Sequence, residues 1–207
     1  MKFYTVEKEY LEFLSKIDSK VILNSEIPYV GIVLNIENHN YFAPLAANKD
    51  LKENIHIVNL KESDSVLGSI KLNNMIPIED KFVSLMSVKD LKDEKYKNLL
   101  NKQYEEIKSK ENKILSRAKD TYIYVTEKKH PFFTGISCDF KILEEAKDIY
   151  VDSILKGDDP YKRYLITNTL TNISNKNIIG INATIILGNN TFTKQIDNCV
   201  FSNITFS

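Results

Sequence analysis

Hydrophobic and polar positions change period several times along the chain. Tyr10, Phe13, Leu14 and Ile17 fall at i, i+3, i+4 and i+7, which predicts a short amphipathic helix with Thr5 as its N-cap. Tyr29 to Ile36 (YVGIVLNI) is a β-branched run, Asn38-His39-Asn40 supplies turn residues, and Tyr41 to Leu45 returns. That is the pattern of a β-hairpin. Ile55 to Leu60 and Val66 to Leu72 predict two more strands around Ser63-Asp64-Ser65, followed by Met75 to Ile78 and a short strand at Phe82 to Met86. The expected core is a strand meander behind one helix.

Residues 89 to 119 change character. Leu100, Tyr104, Ile107, Glu111, Ile114 and Ala118 recur every three or four positions among Lys and Glu, which predicts one long surface helix. Its charged face can hold i,i+4 pairs such as Glu106–Lys110. After Thr121 to Thr126 the segment HPFFTGISC reads as a loop. Asp139 then caps a helix whose apolar positions, from Ile142 to Ile154, run to Gly157, a suitable C′ residue. From Asp158 onward Glu disappears and Asn, Thr and Ile dominate. Tyr164 to Leu170, Ile181 to Leu187, Thr191 to Ile196 and Val200 to Phe206 predict strands, with a hairpin turn at Gly188-Asn189-Asn190. The expected organisation is a domain over 1–157 and a β-rich extension over 158–207.

Composition narrows the class. With 43% hydrophobic and 27% charged residues, the chain of 207 residues is expected to be globular. Lys+Arg and Asp+Glu balance at 28 each, so no global positive field announces a nucleic-acid partner and any anion site must be local. MKFYTVEKEYLEF contains no apolar stretch of the kind a signal peptide needs, and the run from Ile178 to Leu187 is too short to span a bilayer. A cytoplasmic location follows as the expectation, with Cys138 and Cys199 as free thiols. His39, His56 and His130 show no metal-ligand spacing, and the six glycines form no phosphate loop. Cys138 has no evident histidine partner as a nucleophile.

The segment YFAPLAANKDLKENI holds the remaining candidate chemistry. Small residues, Ala46 and Ala47, lead to Lys49 at a strand exit, with Lys52 and His56 close behind. On pattern alone Lys49 is either a solvated turn lysine or the cation of an anion site. Tyr10 is either a core ring or a functional phenol.

Four blocks in order carry a family resemblance: MKFYTVEKEYLEFL, YVGIVLNIENHNYFAPL with the lysine at 49, NNMIPI at 73 to 78, and CDFKILEE at 138 to 145. Over roughly residues 1 to 156 the chain resembles the ToxN/AbiQ family, the endoribonuclease toxins of type III toxin–antitoxin and abortive-infection systems. The resemblance implies an α+β fold with a strongly twisted antiparallel sheet and surface helices, similar to the MazF/Kid toxins. It implies metal-independent cleavage of mRNA, with no cofactor, and neutralisation by a repeated pseudoknot RNA antitoxin in a ring-shaped toxin–RNA assembly. By the same resemblance Tyr10 and Lys49 match active-site positions, with Ala46 and Ala47 in the catalytic turn; Asn48, Lys52, Tyr29 and His56 are further candidates for RNA binding. Lys49 would neutralise charge at the phosphate, and Tyr10 would orient the phosphate or stack on a base. The sequence departs from the family where Ala46 and Ala47 replace hydroxyl-bearing residues, Asn48 replaces a proline, and Ile27 occupies the place of a further lysine. That departure implies a divergent or catalytically impaired member. It also keeps open a non-catalytic RNA-binding module on the same scaffold.

Overall fold

Thr5 lies in a strand rather than at a helix cap. Residues Lys2–Val6 form β1, pairing with Tyr29–Ile36 (β2) on one side and Val83–Leu85 (β7) on the other, with Thr5 opposite Ser84. The strand buries Phe3 and Val6. Helix α1, Lys8–Ile17, therefore starts after Glu7, whose N–H donates to the Phe82 carbonyl, and it buries Tyr10, Leu11, Phe13 and Leu14 as the periodicity predicts. The computed structural model describes residues 1–47 and 50–164, together with the strands of 177–185 and 200–206. It divides into two compact units, Met1–Asp148 and Ile149–Ser207.

The first unit is built on a seven-stranded sheet in which every pairing is antiparallel. Its order is β4-β5-β3-β2-β1-β7, with β6 pairing β3, where β3 is His39–Ala46, β4 Ile57–Glu62, β5 Ser65–Lys71 and β6 Ile76–Pro77. The β2–β3 hairpin turns at Glu37 and Asn38, not at Asn38 to Asn40. Both have positive φ, 47° and 67°, and such a turn matches the right-handed twist of its strands. Gly31 faces Phe42 across this hairpin, and a Cβ there would sit 2.1 Å from the ring. Only glycine lets that aromatic lie flat on β2.

The long helix is two helices. Glu94–Ser109 (α2) packs on β4 and β5, and Glu111–Thr126 (α3) packs on β2. The joint is Lys110, whose φ of −106° and ψ of 11° end the first rod. Its ammonium donates to the Asn59 carbonyl and to Glu106, so the bend is tied to the sheet it follows. Leu100, Ile107, Ile114 and Ala118 are buried as the stripe predicts. Thr121 to Thr126 completes α3, and HPFFTGISC holds a short helix, Pro131–Ile136 (α4), where a loop was expected. Asp139 does cap Phe140–Lys156 (α5), accepting from the Ile142 N–H at 3.2 Å, and Gly157 terminates it at φ 72°.

In the second unit, Asn177–Ile185 (β8) pairs in parallel with Val200–Phe206 (β9). Tyr164, expected to open a strand, closes a helical turn over 160–164. The strands predicted over 165–170 and 191–196, the turn at 188–190 and Cys199 lie outside the described residues. Among the described residues, no helix is long and apolar enough to cross a membrane.

One buried carboxylate joins the helices to the sheet. Glu144 accepts hydrogen bonds from the Tyr41 and Tyr122 hydroxyls at 2.7 and 2.8 Å, and Lys141 lies 2.9 Å from its other oxygen. Burial, then the Glu144 charge, pushes the Tyr41 hydroxyl far above its ordinary range, so it stays a donor. Tyr41→Phe should therefore destabilise the chain by about 2 kcal/mol, the scale of a lost hydrogen bond to a charged acceptor. Urea unfolding measures this; a change within error would show that Glu144 needs only Tyr122 and Lys141.

Candidate functional site

Strand β3, an interior strand between β5 and β2, leads into the Ala-rich segment. Leu45 and Ala46 pair with Ile70 and Ser69, and the Leu45 N–H donates to the Pro28 carbonyl at 2.9 Å. Gly68 allows β5 to close on this strand, since a Cβ there would lie 3.0 Å from the Ala46 carbonyl oxygen and 2.6 Å from Gln103. Ala46 is half-buried and Ala47 exposed. Asn48 and Lys49 lie outside the described residues.

The chain is caught again immediately afterwards. The Asn59 amide, 5% exposed on β4, donates to the Leu51 carbonyl at 2.9 Å and accepts from the Ser69 hydroxyl at 2.7 Å. Glu53 accepts from Arg117 at 3.1 Å and from Lys113, both on α3, and Arg117 also donates to the Ile57 carbonyl. Burial alone would raise the Glu53 carboxyl, but the hydrogen bond and charge of Lys113, then Arg117 and Lys110, hold it below the usual range. Asn54 closes the segment by accepting from the N–H groups of His56 and Ile57. Ala46 on β3 and a strap formed by residues 51–57 are thus each tied to the sheet.

The predicted site residues separate into two groups. Ala46, Ala47 and exposed Lys52 belong to this strap and its approach. Tyr10 and Tyr29 are core residues, each 0% exposed. The Tyr10 hydroxyl donates to the Pro77 carbonyl at 2.6 Å and its ring stacks on Phe82 at 5.1 Å. Tyr29 donates to the Ile22 carbonyl at 3.3 Å and faces Pro44 across the hairpin. Neither ring offers a face to a nucleobase in this conformation. His56 ends the strap, 9% exposed, beneath Phe132 and Phe133 at centroid distances of 6.0 and 5.7 Å. Among the described residues its Nδ1 has no hydrogen-bond partner. Cys138 is a buried free thiol, raised by burial well above its ordinary value, which leaves it protonated and a poor nucleophile.

Asn59, Ser69, Glu53 and Arg117 escaped the sequence reading. A buried Asn and Ser on neighbouring strands carry no motif, and Glu53 and Arg117 look like ordinary surface charges until the helix and the strap meet.

The comparisons with known proteins agree with one another. Residues 2–148 match the family described as toxin ToxN of type III toxin–antitoxin systems. The endoribonuclease ToxN of Bacillus thuringiensis subsp. kurstaki is 34% identical over 162 residues, covering 72% of this chain and 84% of the relative. A solved type III toxin selectively inhibited by a non-coding RNA pseudoknot superposes with a TM-score of 0.67 at 34% identity, covering 72% of this chain and 96% of that one. The lactococcal anti-phage endoribonuclease AbiQ gives a TM-score of 0.67 at 30% identity, covering 73% and 98%. The matched family region ends at residue 148, where the first compact unit also ends.

His56 makes the strap pH-sensitive. Burial, then the charge of Lys71, holds its imidazole below the ordinary value of 6.5. As pH falls through that value the unfolded chain binds a proton that the folded chain refuses, so stability from the neutral ring is complete above it and is lost below it. Urea unfolding between about pH 7 and pH 5.5 should show the parent chain losing more stability than His56→Asn. Identical losses would mean that the buried ring is indifferent to its charge.

Proposed function

The chain belongs to the ToxN family of type III toxin–antitoxin toxins, and from that premise we propose that it is a metal-independent endoribonuclease acting at the Ala46–Lys52 segment. The observation that carries the proposal is the anchoring on either side of this segment: Ala46 pairs with Ser69 on β5, while Asn59 holds Leu51 and Arg117 holds Glu53. RNA supplies its own nucleophile, the 2′-hydroxyl. Attack on the adjacent phosphorus forms a 2′,3′-cyclic phosphate and releases the 5′-oxygen as a hydroxyl. The protein must align that attack, balance the charge growing on the phosphorane oxygens and assist proton transfer.

In this reading Lys49 balances the phosphorane charge, and the backbone N–H groups of Ala47 and Asn48 donate to the same phosphate. Lys52 adds a phosphate contact outside the reacting centre. Tyr10 and Tyr29 act from beneath, by fixing β6 and the β2–β3 hairpin rather than by touching RNA. Ala46 and Ala47 supply no hydroxyls, so the intrinsic rate is low while binding, which draws on many phosphates, is retained. A MazF/Kid-like core, an inhibitory RNA of repeated pseudoknots, a ring-shaped complex with it, cytoplasmic action in abortive infection of phage-infected cells, and a separate extension over 158–207 complete the proposal.

A second reading is favoured by the same two alanines: an RNA-binding module without catalysis. Incubation with mixed RNA followed by analysis of cleaved ends separates the two, because only the enzyme leaves cyclic phosphates. The combined change Ala46→Thr with Ala47→Ser should raise cleavage by about 10²-fold, the value of one restored donor to a developing oxyanion. An unchanged rate would remove the hydroxyls from the account. Lys49→Ala should lower the slope of log affinity against log salt by about 0.7, one phosphate contact on a single strand. A slope equal to that of the parent chain would place Lys49 away from RNA.

A further inference from the structure

The corner between α3 and α4 carries an aromatic cluster that the strap chemistry does not use. Phe133 stacks on Tyr124 at 4.8 Å and meets His130 and Phe132 edge-on, each at 5.4 Å. His56, near the end of the strap, lies against both phenylalanines. Phe132 is 57% exposed and His130 is exposed as well, so both rings are open to solvent.

Cations surround these rings. The Lys128 ammonium sits over the Tyr124 face at 4.2 Å, Lys129 follows it, and the Lys20 ammonium reaches the Thr134 carbonyl on α4. Among the described residues none of these three lysines forms an ion pair. Along α2 and α3, by contrast, Lys97, Lys102, Lys108, Lys110 and Lys113 are each matched by a glutamate. Exposed rings interleaved with unneutralised cations are what sequence-tolerant single-strand binding requires: faces for bases and charges for phosphates.

We propose that the Tyr124–Phe133 corner is a stacking platform for nucleobases of single-stranded RNA, adjoining the 51–57 strap through His56. The proposal rests on the reading of the strap as an RNA site. Phe132 supplies the exposed face, Phe133 and Tyr124 support it from below, and Lys128 and Lys129 meet the flanking phosphates. A strand crossing the strap is thereby held on one side of the cleavage point, which orients the reacting phosphodiester.

The test uses the full chain and a 2′-O-methyl RNA of about a dozen nucleotides, within the range single-strand binders cover. Lacking a free 2′-hydroxyl, this strand cannot be cleaved. An abasic strand of equal length and charge serves as its partner probe. By fluorescence anisotropy, Phe132→Ala should bind the base-bearing strand roughly 5- to 100-fold more weakly, the range for one lost stacking contact. It should bind the abasic strand as the parent chain does, and Phe132→Trp should retain parental affinity for both. If Phe132→Ala binds the base-bearing strand as tightly as the parent, the platform is wrong while the RNA reading stands. Equal weakening toward both strands also overturns the platform, because the ring would then be acting on the fold. A parent chain that binds neither strand at low salt overturns the RNA reading and the platform with it.

Discussion

A single buried amide holds the geometry of the candidate site. Asn59 sits on β4 and joins the Ser69 hydroxyl of β5 to the Leu51 carbonyl of the strap. Each such hydrogen bond contributes only about 1 kcal/mol net, but leaving the buried partner unmatched costs about 1–3 kcal/mol. That asymmetry makes the strap's position nearly obligatory. Detaching Leu51 would strand one side of a 5%-exposed amide and weaken the hold on Ser69, the residue opposite Ala46. Glu53 adds a second tether to α3 through Arg117 and Lys113. Ala46 and the strap from Leu51 onward therefore both belong to elements fixed on the sheet.

Placement of this kind is what metal-independent RNA cleavage demands of a protein. The nucleophile belongs to the substrate, so the protein contributes alignment and charge, and both are lost if the cation wanders. The two alanines before Asn48 remove side-chain donors without disturbing the anchors, because Ala46 pairs through its backbone. Binding and turnover can thus diverge in this chain. The buried histidine near the end of the strap connects that segment to the rings of α4.

Much of the scaffold was legible because its signals are local. The β-branched run of β2, the return of β3, the stripe of α2 and α3, and the Asp139 cap follow from residues close together in sequence. The misses are non-local. Thr5 looks like a cap until β7, far along the chain, supplies Ser84 as its strand partner. Lys110 breaks a continuous helical pattern because its amine bonds to Asn59 on a strand that the pattern cannot see. Tyr10, matched to the active site by resemblance, and Tyr29, a candidate for RNA binding, are both buried, since a phenol's amphipathic character suits a core hydrogen bond as readily as a ligand. The aromatic corner was hidden for a related reason: HPFF reads as a loop until Tyr124 and His56 gather beneath it.

Backbone hydrogen exchange of the full chain, with and without non-cleavable single-stranded RNA, addresses the central claim directly. Bound RNA should slow exchange across residues 46–57 and 124–133, with α2 unaffected. Unchanged exchange in the strap, with slowing confined to other elements, would contradict the assignment of this strap as the place where RNA is held.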